Sequence, residues 1–300
     1  MNIYIQRLLI FFIGIPAVAA LILCLPQYNH LALNICVVIV SSIGAVEFSL
    51  MLRSKGFPVY LPEAAILGSL SPLAATLIVS LDTNNRITQS LFIIGASWVL
   101  ISGIFYKYPP SAVGVREEQK PEASAPPFSF VLNRLTAAFS VMIYPGLLLS
   151  WTITMSTLEH SSFVILAFIF SVMANDSLAW VTGMLFGKTN RGIFPVSQSK
   201  SIAGYVGGMA GSIGVCISMA YFFPLVFKPD KINWLLSAIL LGFFSGITVI
   251  LGDLAESAIK RSSGFKDSGR FFPGRGGVLD STDSIALTAP LFYVLYRYFF

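Results

Sequence analysis

Charge is scarce in this sequence. Asp, Glu, Lys and Arg make up 11% of its 300 residues, and 55% are hydrophobic. Soluble domains carry about 25% charged residues, so a solvated globular surface is excluded. Cysteine is also rare: Cys24, Cys36 and Cys216 all fall inside apolar runs. That excludes a disulfide framework and a cysteine metal site. Histidine occurs only at His30 and His160. No Gly-x-Ser-x-Gly elbow, Walker A loop or Cys–His pair is found.

What is present is long apolar runs. A bilayer core takes about 20 consecutive apolar residues per helix. Nine spans can be read, at about 8–26, 31–52, 60–81, 88–106, 135–156, 162–187, 201–227, 232–256 and 284–300. The runs do not alternate, which argues for helices and against barrel strands. The expected fold class is an all-α polytopic integral membrane protein with about nine transmembrane helices. The first run is longer than a signal-peptide core and is read as a retained helix. Of the 19 Lys and Arg, 15 fall on the side of the N-terminus and of loops 2–3, 4–5, 6–7 and 8–9. The positive-inside rule makes that side cytoplasmic. Both histidines then lie on the other side.

The clearest break is "KYPPSAVGVREEQKPEASAPP", Lys107–Pro127, with five prolines and mixed charge. It reads as a flexible cytoplasmic linker. The expected organisation is an N-terminal membrane region at 1–106, the linker at 107–127 and a catalytic membrane region at 128–300. In the first region, Glu47 lies near the cytoplasmic end of its span, close to Arg53, and reads as a snorkelling or helix-pairing acid. Glu63 opens the third span, where a helix N-terminus favours an acid.

Nearly all the polar chemistry lies in the second half. "NDSLAWVTGMLFGK" places Asn175 and Asp176 inside the sixth span, where a charged Asp needs a polar cavity or a partner. Gly183 and Gly187 form a GxxxG packing notch. "SQSKSIAGYVGG", from Ser197, brings Lys200 and several hydroxyls to a helix start that favours an anion. "GDLAESAIKR" puts Asp253, Glu256, Ser257 and Lys260 on one helix face. Asp280 and Asp283 follow beyond a loop carrying Arg261, Lys266, Arg270 and Arg275. Hard Mg²⁺ takes a few carboxylates and completes its shell with water and phosphate oxygens. The cations suit a polyphosphate. A positive-inside anchoring loop would explain the cations but not the four acids among them. With no histidine at hand, the chemistry left is metal-assisted phosphoryl or nucleotidyl transfer.

These blocks carry a family resemblance. "SAIKRSSGFKDSGRFFPGRGGVLDSTD" resembles the signature of the phosphatidate cytidylyltransferases, at Ser257, Lys260, Arg261, Lys266, Asp267, Gly276, Gly277, Asp280 and Asp283. "GDLAES", "NDSLAW…GMLFGK" and "SQSKSIAGYVGG" resemble three further family segments, in the family's order, so the likeness covers roughly 175–283. Five positions depart from it. Arg275 stands for the signature His and Ser281 for an Arg, while Gln198, Ser199 and Ala203 replace Pro, Lys and Glu.

The resemblance implies CTP and phosphatidic acid as substrates, CDP-diacylglycerol and pyrophosphate as products, and a bacterial cytoplasmic membrane as the location. It implies Mg²⁺ with a second cation, monovalent for instance. The expected metal ligands are Asp253, Asp280 and Asp283. Lys266 and Asp267 join them as catalytic residues. Asn175, Asp176, Ser197, Lys200, Ser257, Lys260, Arg261, Arg275, Gly276 and Gly277 are the expected substrate contacts. The bilayer is a partner, a homodimer is compatible, and no nucleic acid is expected. Two other readings stay open. One is a CTP-dependent polyprenol or phytol kinase. The other is a non-catalytic transporter or pseudoenzyme of the same fold.

Overall fold

The computed structural model describes residues 13–81, 86–105, 131–229, 233–271 and 276–300. The linker at 107–127 and Arg275 lie outside the described residues. The described residues are helical: α1 (Ile15–Cys24), α2 (Gln27–Arg53), α3 (Leu61–Leu81), α4 (Arg86–Phe105), α5 (Val131–Thr157), α6 (Ser161–Phe186), α7 (Ile202–Phe222), α8 (Trp234–Ser263) and α9 (Leu279–Phe299). The β-pairing among them is an isolated bridge between Arg191 and Ser201. Among the described residues, six helices are long and apolar enough to cross a membrane: α2, α3, α5, α6, α7 and α8. The chain is therefore an all-α integral membrane protein, and each helix falls on one of the nine apolar runs.

The chain folds as two compact units. The first holds Met1–Gly14, Gln27–Ile153 and Ile259–Ser281; the second holds Ile15–Pro26, Thr154–Ala258 and Thr282–Phe300. The division passes through α5, α8 and α9.

The first unit packs α2, α3 and α5 through small residues. A side chain on Gly146 would sit 2.8 Å from the Gly68 carbonyl oxygen. Such close backbone approach needs glycine or another very small residue. Ser41 Oγ donates to the Gly68 carbonyl at 2.7 Å and also reaches the Pro145 carbonyl. Pro145 lacks an N–H, and α5 accommodates it with a π-helical turn at Met142–Leu147. Ala45, Phe48, Met51, Leu67, Ala138, Val141, Met142 and Leu279 form the apolar core.

A buried ion pair joins α3 to α5 in this unit. Arg134, only 2% exposed, donates to Glu63 through Nη1 at 3.0 Å and Nη2 at 2.7 Å. Trp98 Nε1 donates to the same carboxylate at 3.0 Å. Glu63 thus does more than favour the start of α3, because it neutralises a cation that the sequence pattern had assigned to a loop.

The second unit is organised on α6 and α7. Side chains added at Gly204, Gly208 and Gly211 would lie 2.7–3.0 Å from the carbonyl oxygens of Ala179, Asn175 and Ala174. The Gly183–Gly187 notch receives Ser201, whose Cβ would lie 2.8 Å from a Cβ on Gly187. The notch expected from the sequence is therefore a seat for the start of α7. Ser201 Oγ accepts from Gly204 N at 3.1 Å and caps that helix.

Candidate active site

In the second unit the polar group forms around the start of α7. Gly192 N donates to the Lys200 carbonyl at 3.1 Å, and Ile202 N to the Asn190 carbonyl at 3.0 Å. These bonds fix the backbone on both sides of Lys200. The Lys200 ammonium is ion-paired with the Asp253 carboxylate of α8. Both side chains are about 30% exposed, at 28 and 31%, so substrate or solvent can reach them. Ser257 Oγ approaches the other Asp253 oxygen at 3.4 Å. Asp176 is half-buried and Glu256 fully buried. Asn175 lies inside the bundle, where Nδ2 donates to Ser212 Oγ at 3.0 Å and Ser212 Oγ donates to the Ser171 carbonyl. Asp283 is buried at 7%, and one of its oxygens accepts from Ser284 N. Ser197 ends a short turn before Lys200.

In the first unit the polar group is the loop between α8 and α9. Asp280 Oδ2 accepts two backbone N–H groups, from Ser268 at 2.8 Å and Gly277 at 2.7 Å. Oδ1 accepts from Lys260 Nζ at 2.6 Å, and that pair is largely out of solvent. Burial alone would raise the Asp280 pKa, but Lys260 and the two N–H groups outweigh it and hold the carboxyl below its usual value. A depressed folded-state pKa stabilises the loop at every pH above the ordinary carboxylate range. That contribution is lost only as pH falls through the lowered value.

The two signature glycines have a steric reason. Gly276 has φ of +105°, and a side chain there would overlap the Asp280 carboxylate. A side chain on Gly277 would overlap Ser268 Oγ and the carboxylate of Glu47. Lys266, Asp267, Arg261 and Arg270 are exposed around this loop.

Glu47 and Ser268 were not among the site residues expected from sequence. Glu47 is 7% exposed and accepts three hydrogen bonds: Val278 N at 3.0 Å, Leu279 N at 2.9 Å and Ser268 Oγ at 2.9 Å. It is therefore neither a snorkelling side chain nor a helix-pairing acid toward Arg53. The available signal was the cost of a carboxylate inside an apolar run, which makes such a residue a functional candidate.

Among the described residues, no group of three or more His, Cys, Asp or Glu could hold a metal on its own. That donor chemistry still suits Mg²⁺, which uses one or two carboxylates and takes its other ligands from water and substrate phosphates. Asp253 fits this best, since among the described residues its oxygens meet a part-exposed ammonium and a long contact to Ser257. Asp280 could serve only where Lys260 gives way, its other oxygen being committed to backbone.

Fold and polar groups together define a helical membrane protein that carries carboxylate–lysine pairs and a glycine-shaped loop. The chain belongs to the cytidylyltransferase family, whose model matches residues 5–299. Three curated relatives are named phosphatidate cytidylyltransferase. The protein from a Synechocystis species is 38% identical over 122 residues, 41% of this chain and 39% of that one. The Aquifex aeolicus protein is 32% identical over 166 residues, 55% and 58% of the two chains. The Staphylococcus haemolyticus protein is 36% identical over 169 residues, 56% and 60%. The matches thus span between two-fifths and three-fifths of these relatives.

Proposed function

We propose that this protein is a phosphatidate cytidylyltransferase, joining CTP and phosphatidic acid into CDP-diacylglycerol with release of pyrophosphate. The observation that carries the reading is the Asp280 carboxylate, preorganised by Lys260 and two backbone N–H groups inside a loop of the family's signature. A lipid phosphate monoester is largely dianionic near neutral pH, its second pKa being about 6. One of its oxygens attacks the α-phosphorus of CTP, the bond to the β-phosphate oxygen breaks, and pyrophosphate leaves. No side-chain base is required, in keeping with polar groups built without histidine.

Catalysis then reduces to placement and charge neutralisation. Lys200, Lys260 and Lys266 hold phosphate oxygens, and Arg261 and Arg275 add positive charge. Asp253 would be the more accessible metal ligand, and Asp280 and Asp283 are the other carboxylates assigned to that role. Bound Mg²⁺ would withdraw charge from the triphosphate, and a second cation would do the same. Asn175 and Asp176 within α6, Ser197 in the turn before α7 and Ser257 on α8 are assigned as further substrate contacts, and Gly276 and Gly277 let backbone N–H groups face the acids. An apolar cleft of about 390 Å³, lined by Tyr205, Val206, Met209, Ala210, Ile213 and Ile250, suits an acyl chain. The basic loops face the cytoplasm, where CTP is available.

The test is product identity. Purified protein with CTP, Mg²⁺ and vesicles containing phosphatidic acid, undecaprenol and phytol should yield CDP-diacylglycerol and pyrophosphate. Phosphorylated prenol with CDP would establish the kinase reading. Absence of turnover on all three lipids would favour a transporter or pseudoenzyme.

A further inference from the structure

We propose that Glu47, on α2 in the N-terminal half, is a positioning residue for the loop that carries Lys266, Asp267 and Asp280. The inference rests on the reading that this loop serves cytidylyl transfer. Glu47 is more than 200 positions away in sequence, at a separation of 221 residues from Ser268. Its two oxygens divide the work. Oε1 accepts from Val278 N at 3.0 Å, and Oε2 accepts from Leu279 N at 2.9 Å and from Ser268 Oγ at 2.9 Å. Val278 and Leu279 lie at the start of α9, where N–H groups have no partner within the helix. A carboxylate there also meets the positive end of the helix dipole.

Ser268 passes the constraint on. Its Oγ donates to Glu47 and accepts from Asp280 N at 3.2 Å, while its own N–H donates to Asp280 Oδ2. Glu47 therefore reaches Asp280 through one side chain, and through the turn that Val278 and Leu279 close. The loop has been cut to fit this acid, because side chains at Gly269 or Gly277 would both overlap the Glu47 carboxylate. Only a group with two acceptor oxygens can meet all three donors. Glutamine has the same shape, but its NH₂ would face an N–H. Glu47 thus acts on catalysis through the loop that it holds.

The experiment compares wild type, Glu47→Gln, Glu47→Asp and Ser268→Ala in full-length protein, reading both turnover and amide hydrogen exchange. Glu47→Gln should lower kcat about 30-fold or more while KM for CTP stays within about threefold, since the fault is in placement and not in ground-state binding. Exchange at the amides of Val278, Leu279 and Asp280 should rise about tenfold or more, with peptides from α7 unchanged. Glu47→Asp, which keeps both acceptors on a shorter stem, should recover part of kcat. Ser268→Ala should show a milder form of both effects, and the double variant should be no slower than Glu47→Gln alone. Glu47→Gln with wild-type kcat, or with unchanged exchange in the loop, overturns the proposal. If Glu47→Gln does not fold, Ser268→Ala decides: wild-type kcat and exchange there overturn the proposal equally. A wild-type protein without turnover would tell against the proposed function, and exchange would still report whether Glu47 holds the loop.

Discussion

Asp280→Asn should abolish cytidylyl transfer and also weaken the fold. The carboxylate meets three donors, and an amide can satisfy only part of that set. Lys260, largely out of solvent, would lose the carboxylate to which it donates. Breaking such a pair typically costs about 3–5 kcal/mol. Activity should fall about a thousandfold or more on the proposed reading that this carboxylate supports a bound cation. Turnover at saturating Mg²⁺ and thermal unfolding in detergent measure the two losses side by side. Activity within a few-fold of wild type would remove Asp280 from the mechanism.

Asp253→Asn should separate what Asp280→Asn combines. Asp253 and Lys200 are part-exposed, and ion pairs in that setting contribute about 0–1 kcal/mol. The variant should therefore unfold near the wild-type temperature. Its activity should still drop about a hundredfold to a thousandfold if Asp253 is the metal ligand proposed above. The residual rate should respond to added Mg²⁺ more steeply than that of wild type. A large fall in stability with little loss of rate would make Asp253 a structural residue.

The helices were legible from sequence because bilayer thickness imposes long apolar runs, and each run became a helix. The Gly183–Gly187 notch was legible for a similar reason, since small residues four apart mark a close approach. The acids and lysines of the loop were legible from their spacing. Their partners were not. Nothing in the spacing of Lys200 and Asp253 says that they pair, because the contact joins residues 53 apart. Glu47 was harder still. Its sequence neighbour Arg53 offered a local explanation, while its actual partners lie beyond six intervening helices. Arg134 misled in the opposite way. A cation at the edge of an apolar run counts toward a basic loop, yet the fold buries it against Glu63.

In the proposed reaction the bond broken lies next to the α-phosphorus of CTP. The most direct measurement supplies CTP labelled at either the α- or the γ-phosphate, together with Mg²⁺ and phosphatidic acid, and follows label into the lipid fraction. α-Label should enter the lipid as CDP-diacylglycerol, and γ-label should leave entirely as pyrophosphate. Transfer of γ-label to lipid, with none from the α-position, would contradict it.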